Sequence, residues 1–112
     1  MEDMLMSAEL HLTAGNFKDE VLSSDVPVLV DFYADWCMPC KMLGPLVSQL
    51  AEEYKGKVKV GKVNVDEAPD LASTYTVISI PAIMVFNGGE VVRQKVGALP
   101  KHELEKLVSD LV

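Results

Sequence analysis

The middle of the chain alternates between segments typical of buried strands and segments typical of helices. Residues 28–34, Val-Leu-Val-Asp-Phe-Tyr-Ala, form a nearly continuous apolar run, which predicts a central strand covered on both faces. Residues 58–65 alternate and are rich in valine, which predicts another strand. Between these strands, from Pro39 to Tyr54, apolar residues recur at helical spacing, namely at Leu43, Leu46, Val47, Leu50 and Ala51.

Shorter elements are predicted before this central part. Residues 1–8 are expected to be a short N-terminal extension. Residues 9–12 suit a short strand, and Thr13 can cap a helix that runs from about residue 14 to residue 22.

The C-terminal part adds a hairpin between two helices. A short helix is predicted over residues 67–75, and a last helix opens at Pro100. Between them, the segment Asn87-Gly88-Gly89 separates two apolar strands, 82–86 and 90–96, and this is a strong hairpin signal. The order β-α-β-α-β-α-β-β-α predicts an α/β domain, with a central mixed sheet of about five strands flanked by four helices.

Length and charge narrow the possible functions. The chain has 112 residues, of which 49% are hydrophobic, so residues 9–112 can form one domain with its own core. Seventeen acidic and ten basic residues give a net charge of −7, which argues against a nucleic-acid partner. No stretch has the roughly 20 apolar residues of a membrane helix. Residues 1–6 carry two acids where a secretory signal needs positive charge, so a cytoplasmic protein without membrane partners is expected.

The two cysteines, Cys37 and Cys40, are separated by only two residues. A disulfide between them closes a very short loop and removes little entropy from the unfolded chain. A reactive role therefore explains the pair better than a stabilising disulfide does. The pair lies where a strand gives way to a helix, and the free N–H groups and the dipole of the first helical turn stabilise a thiolate there. Cys37 is therefore expected to be reactive, and Pro39 suits the helix start because it lacks an N–H.

A cysteine pair can also belong to a metal site or be chemically inert. A zinc site needs four ligands, and the only histidines, His11 and His102, are remote and outside zinc-finger spacing. Two inert buried cysteines fit poorly, because Trp36 and Pro39 frame a turn that is expected to be exposed.

Several separate segments strongly resemble the thioredoxin family in content and order. They are residues 30–41 (Val-Asp-Phe-Tyr-Ala-Asp-Trp-Cys-Met-Pro-Cys-Lys), 62–66 (Lys-Val-Asn-Val-Asp), 79–82 (Ser-Ile-Pro-Ala), 86–91 (Phe-Asn-Gly-Gly-Glu-Val) and 96–98 (Val-Gly-Ala). The resemblance covers nearly the whole chain. It implies a thioredoxin fold, reduction of disulfides in client proteins, and recharging by a thioredoxin reductase. It also implies that no cofactor is bound and that a redox-active Cys37–Cys40 disulfide exchanges electrons with the client.

The same resemblance assigns chemical roles. It makes Cys37 the nucleophile and Cys40 the resolving thiol. Asp31 matches the family's buried carboxylate, which accepts or donates a proton, and Lys62 matches the lysine that modulates it. Burial of an isolated carboxylate should raise the pKa of Asp31, which suits a group that takes a proton from Cys40. Pro81 matches the family's cis-proline.

The resemblance also assigns a client-binding surface. A cis bond before Pro81 would aim the backbone at the cysteines, where an extended client segment can pair with it. The residues expected to contact clients are Trp36, Met38, Pro39, Ile80, Pro81, Gly97 and Ala98. Two residues depart from the family pattern. Met38 stands where glycine is usual, which can shift the redox potential, and Tyr33 stands where tryptophan is usual.

Without the resemblance, several of these residues would have plainer roles. Asp31 could be a structural acid, Lys62 a solvated lysine on an edge strand, and Trp36 a core residue. Residues 97–98 could form an ordinary strand-to-helix turn.

Two other functions are possible alternatives to disulfide reduction for this chain. The first is an oxidase or isomerase of the same fold, which Asp31 and the acidic N-terminus argue against. The second is a redox-idle scaffold or binding subunit. The chain is expected to be a monomer.

Overall fold

The computed structural model describes residues 8–112. The predicted N-terminal extension therefore lies outside the described residues, except for Ala8. The amide of Ala8 donates a 2.7 Å hydrogen bond to Oε2 of Glu52, and its side chain packs against the core.

Within residues 8–112, five strands form one mixed sheet. They are β1 (Glu9–Leu12), β2 (Val28–Tyr33), β3 (Lys59–Asn64), β4 (Ala82–Asn87) and β5 (Glu90–Val96). Their order across the sheet is β1-β3-β2-β4-β5. β3 runs parallel to both β1 and β2, whereas β4 runs antiparallel to β2 and to β5. The predicted mixed sheet is confirmed.

In the described part of the chain, four helices flank the sheet. They are α1 (Lys18–Leu22), which is a short π-helical segment, α2 (Met38–Glu53), α3 (Pro69–Thr74) and α4 (Lys101–Lys106). A 3₁₀ turn, Ser109–Leu111, follows α4. The predicted order of strands and helices is confirmed.

The first helix is shorter than predicted, because residues 14–16 form a turn instead. The side chain of Thr13 accepts hydrogen bonds from the amides of Gly15 and Asn16, as a cap does. Asn16 in turn accepts a bond from the amide of Thr13 and donates one to the carbonyl of His11. These reciprocal bonds hold the turn in place, so the helix begins at Lys18 and not at residue 14.

Two further predictions differ at their ends. The helix predicted over residues 67–75 is α3, which begins at Pro69, a residue suited to a first helical turn. The predicted hairpin is confirmed, although β4 extends through Asn87, so that Gly88 and Gly89 alone connect the strands. Both glycines have positive φ angles, 66° and 84°, which a tight hairpin turn requires.

Hydrophobic clusters cover both faces of the sheet. On one face, residues such as Leu29 in β2 pack with Leu43, Val47 and Leu50 of α2. On the other, Val28, Val30 and Phe32 pack with residues that include Phe17 and Val21. Because side chains alternate along a strand, Asp31 shares the face of Leu29, which α2 covers. The fold therefore points this carboxylate under the helix that begins at the cysteines.

Candidate active site

The two cysteines lie at the start of α2 and are joined by a disulfide, with their Cα atoms 5.2 Å apart. Cys37 is the N-cap of the helix in an extended conformation, and its sulfur accepts a 3.3 Å hydrogen bond from the amide of Cys40. Pro39 lies in the first helical turn, as predicted. An N-cap sulfur that accepts a helical amide is stabilised as an anion by that bond and by the helix dipole.

Burial hardly separates the two cysteines, since Cys37 is 5% exposed and Cys40 is 4% exposed. Their surroundings do differ. Sγ of Cys37 lies 3.8 Å from the carbonyl oxygen of Ile80. Cys40 instead lines a cleft of about 520 Å³ behind the disulfide, together with Tyr33 and Lys62.

Asp31 is fully buried in the central strand. Neither of its carboxylate oxygens has a hydrogen-bond partner among residues 8–112. Burial raises the pKa of Asp31 to about 7, while Lys62 opposes this rise and Glu9 adds to it. A carboxyl group with this pKa can both accept and release a proton near neutral pH.

Lys62 lies directly opposite Asp31 in the register between β2 and β3. Its ammonium lies 4.7 Å from the centre of the Tyr33 ring, a cation–π contact. The ammonium also comes close to Gly44 of α2, 3.6 Å from where a Cβ at that position would be. Lys62 therefore lies between the sheet and α2, on the face of the sheet that carries Asp31.

The loop before β4 brings Pro81 to the cysteines. The Ile80–Pro81 peptide bond is cis. Ala82, the next residue, pairs with Phe32 at the end of β2, and Ile80 packs against the cluster that contains both cysteines. The carbonyl of Pro81 accepts a 2.8 Å hydrogen bond from the amide of Gly97. The cis bond and this hydrogen bond thus bring Ile80, Pro81 and Gly97 close to one another.

Ala98, the last residue expected to contact clients, follows Gly97 directly. It is exposed and lines a smaller groove of about 210 Å³ beside α2, together with Met42 and Leu99. The chain turns at Gly97, whose φ angle is 102°, and this directs the following residues toward α2.

Large apolar side chains near the disulfide are exposed. Trp36 is 69% exposed, Met38 is 65% exposed and Met42 is 68% exposed. The core alternative for Trp36 is therefore wrong. Its indole nitrogen donates a 2.9 Å hydrogen bond to Oδ2 of Asp66, which fixes the ring beside Cys37.

Sequence reasoning did not find Asp66, Met42 or Glu9. A signal for Asp66 existed, because β2 and β3 are parallel and their carboxyl ends meet at one edge of the sheet. Residues just after the two strands must then lie close together. Met42 and Glu9 carry no motif, and only the packing of α2 against β1 and β3 places them near the site.

No group of three or more His, Cys, Asp or Glu side chains that could hold a metal ion occurs within residues 8–112. Over the same range, none of the helices is long and apolar enough to cross a membrane.

A mixed sheet that presents a disulfide at a helix N-terminus, with a cis-proline beside it and a buried carboxylate under the same helix, defines a protein of the thiol–disulfide exchange class. The thioredoxin family model matches residues 8–110. Thioredoxin 1 of Nostoc sp. is 54% identical over 101 residues, which are 90% of this chain and 94% of that protein.

Two further relatives agree with this match. Thioredoxin of Chlorobaculum thiosulfatiphilum is 51% identical over 88% of this chain and 91% of its own length. Thioredoxin of Synechocystis sp. is 50% identical over 88% of this chain and 92% of its own length. The chain belongs to the thioredoxin family, and it is a protein dithiol–disulfide oxidoreductase that uses its own redox-active disulfide. Family membership implies disulfide-containing client proteins and a thioredoxin reductase as partners.

Proposed function

We propose that Cys37 is the attacking thiol and Cys40 the resolving thiol in the reduction of client disulfides. One observation carries this assignment: the sulfur of Cys37 accepts the amide of Cys40 at the N-terminus of α2. The same bond and the helix dipole would stabilise the Cys37 thiolate in the reduced protein. Cys40 lies inside the first turn, a position that does not direct helix amides at its own sulfur.

The first step forms a mixed disulfide. The Cys37 thiolate attacks one sulfur of the client disulfide, a bond forms between the two, and the client S–S bond breaks. The electron pair of that bond leaves with the second client sulfur as a thiolate, which takes up a proton.

In the second step Cys40 releases the client. Asp31 accepts the proton of the Cys40 thiol, and the Cys40 thiolate attacks the sulfur of Cys37 in the mixed disulfide. The Cys37–Cys40 disulfide forms, and the client sulfur leaves as a thiolate. The pKa of Asp31, which burial raises to about 7, supports its role as this proton acceptor. The ammonium of Lys62 would stabilise the negative charge that Asp31 then carries.

The client would bind around the disulfide. The exposed side chains of Trp36 and Met38, with Pro39 beside them, supply apolar contacts. The backbone before Pro81 is available for strand-like pairing with an extended client segment. Gly97 and Ala98 would complete the surface on the side of β5.

Trapping the mixed disulfide tests the order of attack. A Cys40→Ser variant is expected to accumulate a covalent complex with a disulfide-containing client such as insulin. Cys37 still attacks the client disulfide, but no second thiol is left to resolve the mixed disulfide. A Cys37→Ser variant is expected to form none. Stable complexes with Cys37→Ser and none with Cys40→Ser would reverse the assignment.

The role of Asp31 is tested by the pH dependence of resolution. Asp31→Asn removes the proton acceptor, so the decay of a preformed mixed disulfide should slow near neutral pH. Its rate should then increase with pH, as the Cys40 thiol ionises without help. The same pH profile in Asp31→Asn and in the unmodified protein would refute the role.

We further propose that the protein acts as a monomer in the cytoplasm, without nucleic-acid or membrane partners. Support comes from the net charge of −7, which disfavours phosphate binding, and from the proposed reaction, which starts from the thiol forms that cytoplasmic conditions maintain. Sedimentation equilibrium of the purified protein and fractionation of the source cells would test both points.

A further inference from the structure

A second carboxylate lies on the face of the sheet that carries Asp31. Glu9 of β1 is half-buried, and its Oε1 accepts a 3.0 Å hydrogen bond from the hydroxyl of Ser48 in α2. This bond spans the space between the edge of the sheet and the helix, so it holds the Glu9 carboxylate in place.

The strand register places Lys62 between the two carboxylates. β3 lies between β1 and β2, and Lys62 is opposite His11 on one side and Asp31 on the other. Glu9 precedes His11 by two residues and therefore points to the same face of the sheet. Glu9 and Lys62 line one cleft together, and Lys62 and Ser48 line the neighbouring cleft together with Cys40. The ammonium of Lys62 thus acts on two carboxylates, Glu9 at the edge of the sheet and Asp31 in its central strand.

The other charged groups around this space have different neighbours. The ring of His11 forms a 3.1 Å hydrogen bond with the carboxylate of Glu67. The carboxylate of Glu52 in α2 accepts a hydrogen bond from the amide of Ala8. Asp35 and Lys41 line the mouth of the cleft that contains Cys40, as does the phenol of Tyr33. Among residues 8–112, the charges that act on the pKa of Asp31 are those of Lys62, which lowers it, and Glu9, which raises it.

We propose that Glu9 is a positioning residue for the exchange reaction, which competes with Asp31 for Lys62 and so sets the pH at which Asp31 takes up the proton of Cys40. Two carboxylates that share one ammonium are each less well compensated than either would be alone. Ionised Glu9 therefore keeps Asp31 a better proton acceptor than Lys62 by itself would allow. This inference rests on the proposed role of Asp31 in resolution.

The test measures Asp31 directly. The protonation midpoint of the Asp31 carboxyl is followed by NMR in the oxidised protein, in Glu9→Gln and in Glu52→Gln. The Glu52 variant makes the same change of charge next to β1. The midpoint of Asp31 is expected to fall in Glu9→Gln and to stay at the unmodified value in Glu52→Gln. Equal midpoints in all three proteins would overturn the proposal.

A second variant separates charge from packing. Glu9→Asp keeps the negative charge on a shorter side chain, so its Asp31 midpoint should lie closer to the unmodified value than that of Glu9→Gln. A fall as large as in Glu9→Gln would show that packing, and not charge, is responsible, and would also overturn the proposal. The titration measures Asp31 without any exchange reaction. The pH profile of Asp31→Asn separately tests whether Asp31 takes part in resolution, so the two proposals can fail independently.

Discussion

Asp31 and Lys62 occupy opposed positions in the neighbouring parallel strands β2 and β3, and both side chains point toward α2. The ammonium of Lys62 also lies over the ring of Tyr33, which holds it in the same polar space. This arrangement keeps a fully buried carboxyl group close to one positive charge, yet burial still dominates and raises the pKa of Asp31 to about 7. The consequence is a carboxyl group under α2 that can bind and release a proton near neutral pH, at a cost to the stability of the fold.

Asp31 should make the stability of the protein depend on pH. Because its pKa rises from 3.8 to about 7 on folding, the native state binds more protons than the unfolded state between these values. The contribution of Asp31 to stability is therefore fully present below about pH 4 and is lost as the pH rises through 7. A difference of about three units corresponds to about 4 kcal/mol, as an order of magnitude.

Urea unfolding of the oxidised protein at pH 4, 6 and 8 measures this effect. Asp31→Asn should gain stability relative to the unmodified protein as the pH rises, with the largest gain at pH 8. Asp25→Asn, which changes an exposed acid, serves as the control and should follow the unmodified protein. Parallel stability curves for Asp31→Asn and the unmodified protein would show that Asp31 does not carry the raised pKa.

Met38 is expected to contribute to client affinity. Its side chain is 65% exposed at the first position of α2, directly after Cys37. Met38→Gln keeps the length and helix propensity but removes the apolar contact, so KM for insulin should rise about threefold to tenfold with little change in kcat.

The matched control for this substitution is Val92→Thr. Val92 is also an exposed apolar residue, 47% exposed, but it lies on β5 near Phe86, which pairs with the start of β2 and not with its end at the cysteines. The KM of the Val92→Thr variant for insulin should equal that of the unmodified protein. A similar rise in KM for both variants would mean that Met38 has no specific place in the client-binding surface.

Gly61 should be required for the packing of β1 on β3. A Cβ at this position would lie 2.6 Å from Cδ1 of the buried Leu12 and 3.3 Å from the carbonyl oxygen of Leu10. Gly61→Ala is therefore expected to lower the free energy of unfolding by about 1–3 kcal/mol. In Gly15→Ala the added Cβ would meet only Oγ1 of Thr13 at 3.6 Å, so this control should change stability by less than about 0.5 kcal/mol. Equal stabilities of the two variants would contradict the packing argument.

Much of the fold could be predicted from local patterns. The apolar run at residues 28–34 indicated the central strand, and Asn87-Gly88-Gly89 indicated the hairpin. Both signals are local, since one is the pattern of hydrophobic residues along a strand and the other is the choice of residues in a turn. The start of α1 could not be predicted, since the reciprocal bonds between Thr13 and Asn16 compete with the helix in a way that spacing does not reveal.

The site was predictable only where residues lie near one another in sequence. The strand-to-helix position of Cys37 and Cys40 indicated their chemistry directly. Asp31, Lys62 and Pro81 were placed through the family resemblance, because their proximity depends on sheet register and not on spacing. The bond between Ser48 and Glu9 joins a helix to the far edge of the sheet, and no pattern along the chain indicates it.

The role of Cys37 is tested most directly by insulin disulfide reduction with the unmodified protein and with Cys37→Ser, a dithiol reductant being supplied. The unmodified protein should accelerate precipitation of the reduced insulin chains well above the rate with reductant alone, and Cys37→Ser should fall to that background rate. Equal acceleration by the two proteins would contradict the assignment of Cys37 as the attacking thiol.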